Sequence, residues 1–70
     1  MEIRTLHVPH LDDESLRKIR QALAEVPGVK RIEADFTSQS LTVYFDENQV
    51  GLISIERRIA EAGFPVKGMS

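Results

Sequence analysis

Seventy residues, 41% of them hydrophobic and 29% charged, describe one small globular domain, 1–70, and exclude a disordered or fibrous chain. Nine Lys/Arg against eleven Asp/Glu leave a formal charge of -2, without the positive excess that nucleic acid or an anionic membrane surface attracts. The absence of cysteine removes disulfides, iron–sulfur clusters, thiolate zinc sites and cysteine nucleophiles together.

No apolar stretch approaches the roughly 20 residues of a membrane span. The start of the chain, Met1 to Val8, has the character of a strand and not of a signal peptide. A soluble cytoplasmic domain without membrane insertion is the expectation. The first strand runs Ile3 to Val8, with Leu6 and Val8 on one face and Thr5 and His7 on the other. Pro9 ends it. Asp12 then caps a helix of about 14 residues, the length read from its apolar stripe, with Asp13 and Glu14 in the first turn, where exposed amides favour negative charge. Leu11 and Leu16 occupy the two positions of a hydrophobic staple, and the stripe continues through Ile19, Leu23 and Val26. Pro27-Gly28 stops the helix.

Alternation resumes with Ile32, Ala34 and Phe36 inward against Arg31, Glu33 and Asp35. Thr37 to Ser40 is a turn, and Leu41, Val43 and Phe45 form the next inward series, with Thr42 and Tyr44 outward. Asp46 to Gln49 is a loop. Gly51 caps a second helix, stapled by Val50 and Ile55, whose buried stripe is Leu52, Ile55, Ile59 and Ala62; Gly63 supplies its left-handed end. Phe64 to Lys67 is a short last strand before a frayed end, Gly68 to Ser70. The order βαββαβ predicts an α+β, ferredoxin-like sandwich: a four-stranded antiparallel sheet with two helices on one face, joined by right-handed crossovers. The open face carries Thr5, His7, Arg31, Glu33, Asp35, Thr42 and Tyr44.

With these elements in place the chain resembles a heavy-metal-associated domain, the unit of small copper chaperones, mercuric-ion binding proteins and the amino-terminal modules of metal-transporting P-type ATPases. Leu6-His7-Val8 matches the first strand of that family, Gly28-Val29 the helix exit, Val43-x-Phe45-Asp46 the third strand and Gly63-Phe64-Pro65-Val66 the terminus. The resemblance implies metal-ion binding or transport and no enzymatic activity. It breaks at the metal loop. His10 and Leu11 stand at the family's Gly-Met positions, and Asp13 and Leu16 stand where the family has its two cysteines. Soft ions such as Cu(I) select thiolates, which a carboxylate and an isobutyl group do not replace.

Two other functions stay open beside family-type metal binding. A metal-independent interaction or regulatory module would dock a protein partner through charged helix or loop faces, with Arg17, Lys18 and Arg20 as the basic candidates. Alternatively, His10 and Asp13, joined by His7 or Asp12, would make a weak divalent site for Zn(II), Ni(II) or Cu(II), although none of these ions is required for folding. Nucleic acid is an unsuitable partner, because Tyr44 is the lone aromatic of the open face. Acylphosphatases and amino-acid-sensing ACT domains share the topology, but the acidic first loop lacks the phosphate-binding arginine of the former and the ligand-contacting glycine of the latter. Open strand edges permit a monomer or weak dimer, with Lys30 and Arg31 blunting one edge.

Overall fold

The computed structural model describes residues 1–64 and 66–68. Strand β1 (Glu2–His7) leads to helix α1 (Asp13–Ala24). The hairpin of β2 (Val29–Asp35) and β3 (Ser40–Phe45) follows, and then helix α2 (Leu52–Glu61). The fold is α+β, with β3 between β2 and β1 in an antiparallel sheet and the two helices packed over one of its faces. Beyond α2, Lys67 and Gly68 pair antiparallel with His7 and Leu6. Phe64 and Val66 lie outside that pairing, so the expected last strand begins too early. Pro65 of that strand, like Met69 and Ser70 of the expected frayed end, lies outside the described residues.

The register explains the core. Leu6 faces Leu41, Ile32 faces Val43 and Ala34 faces Leu41, so the inward residues of three strands meet in rows. Ile19 and Leu23 of α1 and Ile55 and Ile59 of α2 close over them, and Val8, Leu11, Val26 and Phe45 complete the cluster. Leu16, Ala34, Leu52 and Val50 pack against its rim, half-buried. Helix α1 is shorter than its apolar stripe suggests: it stops at Ala24, and Val26 enters the core from the turn that follows. There Gly28 adopts φ 99, and a Cβ would meet Gln49 Cβ at 2.8 Å and Val50 Cγ1 at 2.9 Å. Both conditions demand glycine.

One inward assignment changes. Phe36 lies past the end of β2, in the turn, and is 42% exposed. The reason is the turn itself: Asp35 Oδ1 accepts hydrogen bonds from the N–H groups of Thr37 and Ser38, which ends the strand one residue before Phe36. At the other end of β2 the pairing shifts between Val29 and Arg31, leaving Lys30 as an extra, bulged residue. The bulge lets Val29 and Ile32 both face the core although they are three positions apart. Ile3 shares the open face with Thr5 and His7, opposite Tyr44, and is 57% exposed.

Candidate functional site

The segment joining β1 to α1 is anchored at both ends by core residues, Val8 at 0% and Leu11 at 4% exposure. Between them His10 takes φ 62, a left-handed conformation. The backbone on either side of that turn is satisfied by one residue of the β2–β3 turn. Gln39, itself at φ 56, accepts the Val8 N–H at its carbonyl, 2.9 Å away. Its side-chain Oε1 accepts the Leu11 N–H at 2.8 Å, and its Nε2 donates to the carbonyls of Leu11 and Phe36, both at 3.0 Å. The primary amide thus pairs with Leu11 as a neighbouring strand's peptide would. Nothing in the sequence pattern singles out Gln39, because its partner lies 28 positions away.

Each proposed ligand has a definite place. His7 is half-buried on the open sheet face, opposite Ser40. His10 is exposed on the loop. Asp12 is the α1 N-cap, its Oδ1 accepting the Ser15 N–H at 2.8 Å. That hydrogen bond holds the Asp12 carboxyl below its ordinary value. Asp13 is exposed in the first turn, where it complements the helix dipole. Among the described residues no group of three or more His, Asp or Glu side chains is gathered to hold an ion. Leu16 is half-buried against the core and offers no donor atom. A carboxylate and an alkyl group at these two positions do not fit a soft thiophilic cation.

The basic candidates separate. Lys18 reaches back to Glu14 at 3.4 Å, an i,i+4 pair on the solvent side, and Arg17 is exposed. Arg20 instead crosses to the sheet, its Nη2 donating to the Ile32 carbonyl on β2 at 3.3 Å. Arg20 and Lys18, two positions apart, do not share a face. The open sheet face satisfies its own groups. The Tyr44 hydroxyl donates to Glu33 Oε1 at 2.7 Å, Arg31 pairs with Glu33 at 2.8 Å, and the Arg31 guanidinium lies 5.8 Å from the Tyr44 ring centre. The Thr5 and Thr42 hydroxyls are 3.2 Å apart. The hydrogen bond to Glu33 pushes the Tyr44 phenol above its usual value.

No helix of the described residues is long and apolar enough to cross a membrane. The model of the heavy-metal-associated domain matches residues 5–65. No curated protein matches the chain. Similar solved structures include the yeast copper transporter domain CCC2A, with a TM-score of 0.88 at 21% identity, covering 100% of this chain and 97% of that one. Apo-CopP from Helicobacter pylori gives 0.85 at 25% identity, covering 94% and 100%. Oxidized MerP from Ralstonia metallidurans CH34 gives 0.84 at 22% identity, covering 99% and 97%.

Proposed function

This chain belongs to the heavy-metal-associated domain family, and we propose that it works as a metal-independent protein-interaction module of that family. It lacks the thiolate pair. The observation that carries the proposal is the way the loop after β1 is closed: by a buried Leu11 and by Gln39, with Asp12 spent on capping α1. In this reading the loop's order comes from packing and hydrogen bonds internal to the chain, so no ion is needed to fold or finish it. Lys67–Gly68, paired with β1, is the fourth strand that completes a ferredoxin-like sandwich.

The test is a backbone-amide NMR titration with Zn(II), Ni(II), Cu(II) and, under reducing conditions, Cu(I), beside thermal unfolding with and without EDTA. The expected result is an unchanged midpoint and only unsaturable broadening at His7 and His10. Saturable one-to-one shifts confined to residues 7–16 and abolished by His10→Ala would establish a site of His10, Asp13 and a third ligand, and overturn the proposal.

A further inference from the structure

Strand β2 is the outer strand of the sheet, and a groove of about 280 Å³ runs between it and α1. Leu23, Ala24 and Val29 supply apolar lining, and Arg20, Lys30 and Arg31 supply its charge. In a chain whose net charge is -2, this groove has three cations and no acid in its lining. Arg31 is paired with Glu33 on the open face. Among the described residues no carboxylate is within ion-pair distance of Arg20 or Lys30. The second groove, between the end of α1 and α2, mixes Arg57 and Arg58 with Glu61 and has no such single sign.

The backbone beside the groove is equally distinctive. The Ile32 carbonyl accepts Arg20, so it points away from β3 and out of the sheet. Strand alternation then directs the peptide groups of Ile32 and Ala34 to the open edge and those of Glu33 toward β3. The bulge at Lys30 limits the usable edge to the stretch that follows it. Arg20 guards that edge as cationic residues guard exposed strands elsewhere, with a single bond of 3.3 Å to a peptide carbonyl.

We propose that the β2 edge and its cationic groove dock an extended, acidic segment of a partner protein, which adds as a strand antiparallel or parallel to β2. Its alternate apolar side chains enter the groove over Leu23, Ala24 and Val29, while its carboxylates meet Lys30, Arg31 and the Arg20 released from Ile32. The charge of the lining, three cations and no acid, selects the occupant: a segment that brings carboxylates complements it. The proposal rests on the reading of the domain as a protein-docking module, and it names the chemistry of the partner.

The probe is a blocked nine-residue peptide of alternating valine and glutamate, titrated into the labelled 70-residue chain with and without EDTA, with a valine–lysine peptide as control. The expected result is saturable amide shifts at Leu23, Ala24 and residues 30–35, insensitive to EDTA and absent with the lysine peptide. Arg20→Glu with Lys30→Glu, both exposed positions, should weaken binding about tenfold or more. Ala34→Pro, which removes an edge donor while leaving every cation in place, should abolish it if the variant keeps its native amide dispersion. Binding of both peptides alike, binding that survives the charge reversal, or a domain dimer formed through β2 would each overturn the groove assignment. So would an absence of binding in both conditions, without touching the metal-independent reading. Binding that needs metal would keep the groove and overturn metal independence.

Discussion

The two helices of this domain begin in opposite ways. Helix α1 has a side-chain cap in Asp12, two acids in its first turn, and a buried Leu11 before it. Helix α2 starts at Gly51 with no side-chain cap and no acid in its first turn, and Ile53 stands 72% exposed beside it. In the family this chain belongs to, the first helix start is the metal loop. Here it is the more thoroughly finished of the two, and its polar groups are spent on the fold. A loop that must exchange an ion with a partner gains from open coordination positions and adaptable backbone. A loop tied to a hairpin turn by a reciprocal amide pair holds one conformation instead.

The largest expected effect that tests this contrast is at Leu11. Leu11→Ala removes a 4% exposed side chain from the point where loop, helix and sheet meet. It should cost about 3 kcal/mol, a large share of the roughly 4 to 10 kcal/mol available to a chain of this size. Urea unfolding at unchanged slope measures it; a loss below about 1 kcal/mol would mean that the loop is not held by packing. Gln39→Ala comes next, at about 2 kcal/mol, since it leaves the N–H and C=O of Leu11 without their partner in a half-buried position. Hydrogen exchange localises the effect: the Leu11 amide should exchange much faster, while the Ser15 amide, bonded to Asp12, keeps its protection. Uniform acceleration across α1 would show that Gln39 supports the whole helix and not the loop.

Asp12, Leu11 and the stripe through Leu23 were legible because caps and helical periodicity depend on neighbours in sequence, and the same holds for Gly51 and Gly63. The inward rows of β3 followed from strict alternation. Phe36 was misplaced because alternation carries no information on where a strand ends, and the Asx-type turn at Asp35 ends this one early. The bulge at Lys30 and the amide pair of Gln39 with Leu11 arise from contacts between segments far apart in the chain. Of the basic residues, Lys18 and Arg20 were grouped by adjacency, yet one bonds within α1 and the other bonds to β2. The absence of family thiolates was plain from composition alone; what replaced them was not.

A smaller effect is expected at the α1 cap. Asp12→Ala removes the acceptor for the Ser15 N–H and should lower the melting temperature by a few degrees at neutral pH. The Asp12 carboxyl is held below its ordinary value of 3.8, chiefly by that hydrogen bond. Its stabilisation is therefore complete above the unfolded-state value and is lost as pH falls through the lower, folded-state value. The gap between wild type and variant should stay constant through neutral pH and close only in acid below 3.8. A gap that closed at higher pH would assign the effect to another group.

The smallest effect runs the other way and concerns the bare start of α2. Gly51 has an extended backbone, φ -99 and ψ 161, and no atom lies within 4 Å of the place where a Cβ would stand. Aspartate there meets neither strain nor collision, and its carboxylate is placed to accept the N–H of Ser54, as Asp12 accepts that of Ser15. Capping and the helix dipole together favour the change, as does the lower conformational freedom of a non-glycine residue in the unfolded chain. Repulsion from Asp46 and Glu47 in the preceding loop opposes it, but Glu47 already lies 3.7 Å from the amino terminus, which offsets part of its charge. The balance for Gly51→Asp is a gain of about 0.5 kcal/mol, read as a higher urea midpoint at unchanged slope. The gain should shrink in 0.5 M salt if the dipole dominates and persist if the hydrogen bond does. A loss of stability would show that the openness of the α2 start is required by the fold, and that the two helix starts differ for a structural reason and not only in how completely they are capped.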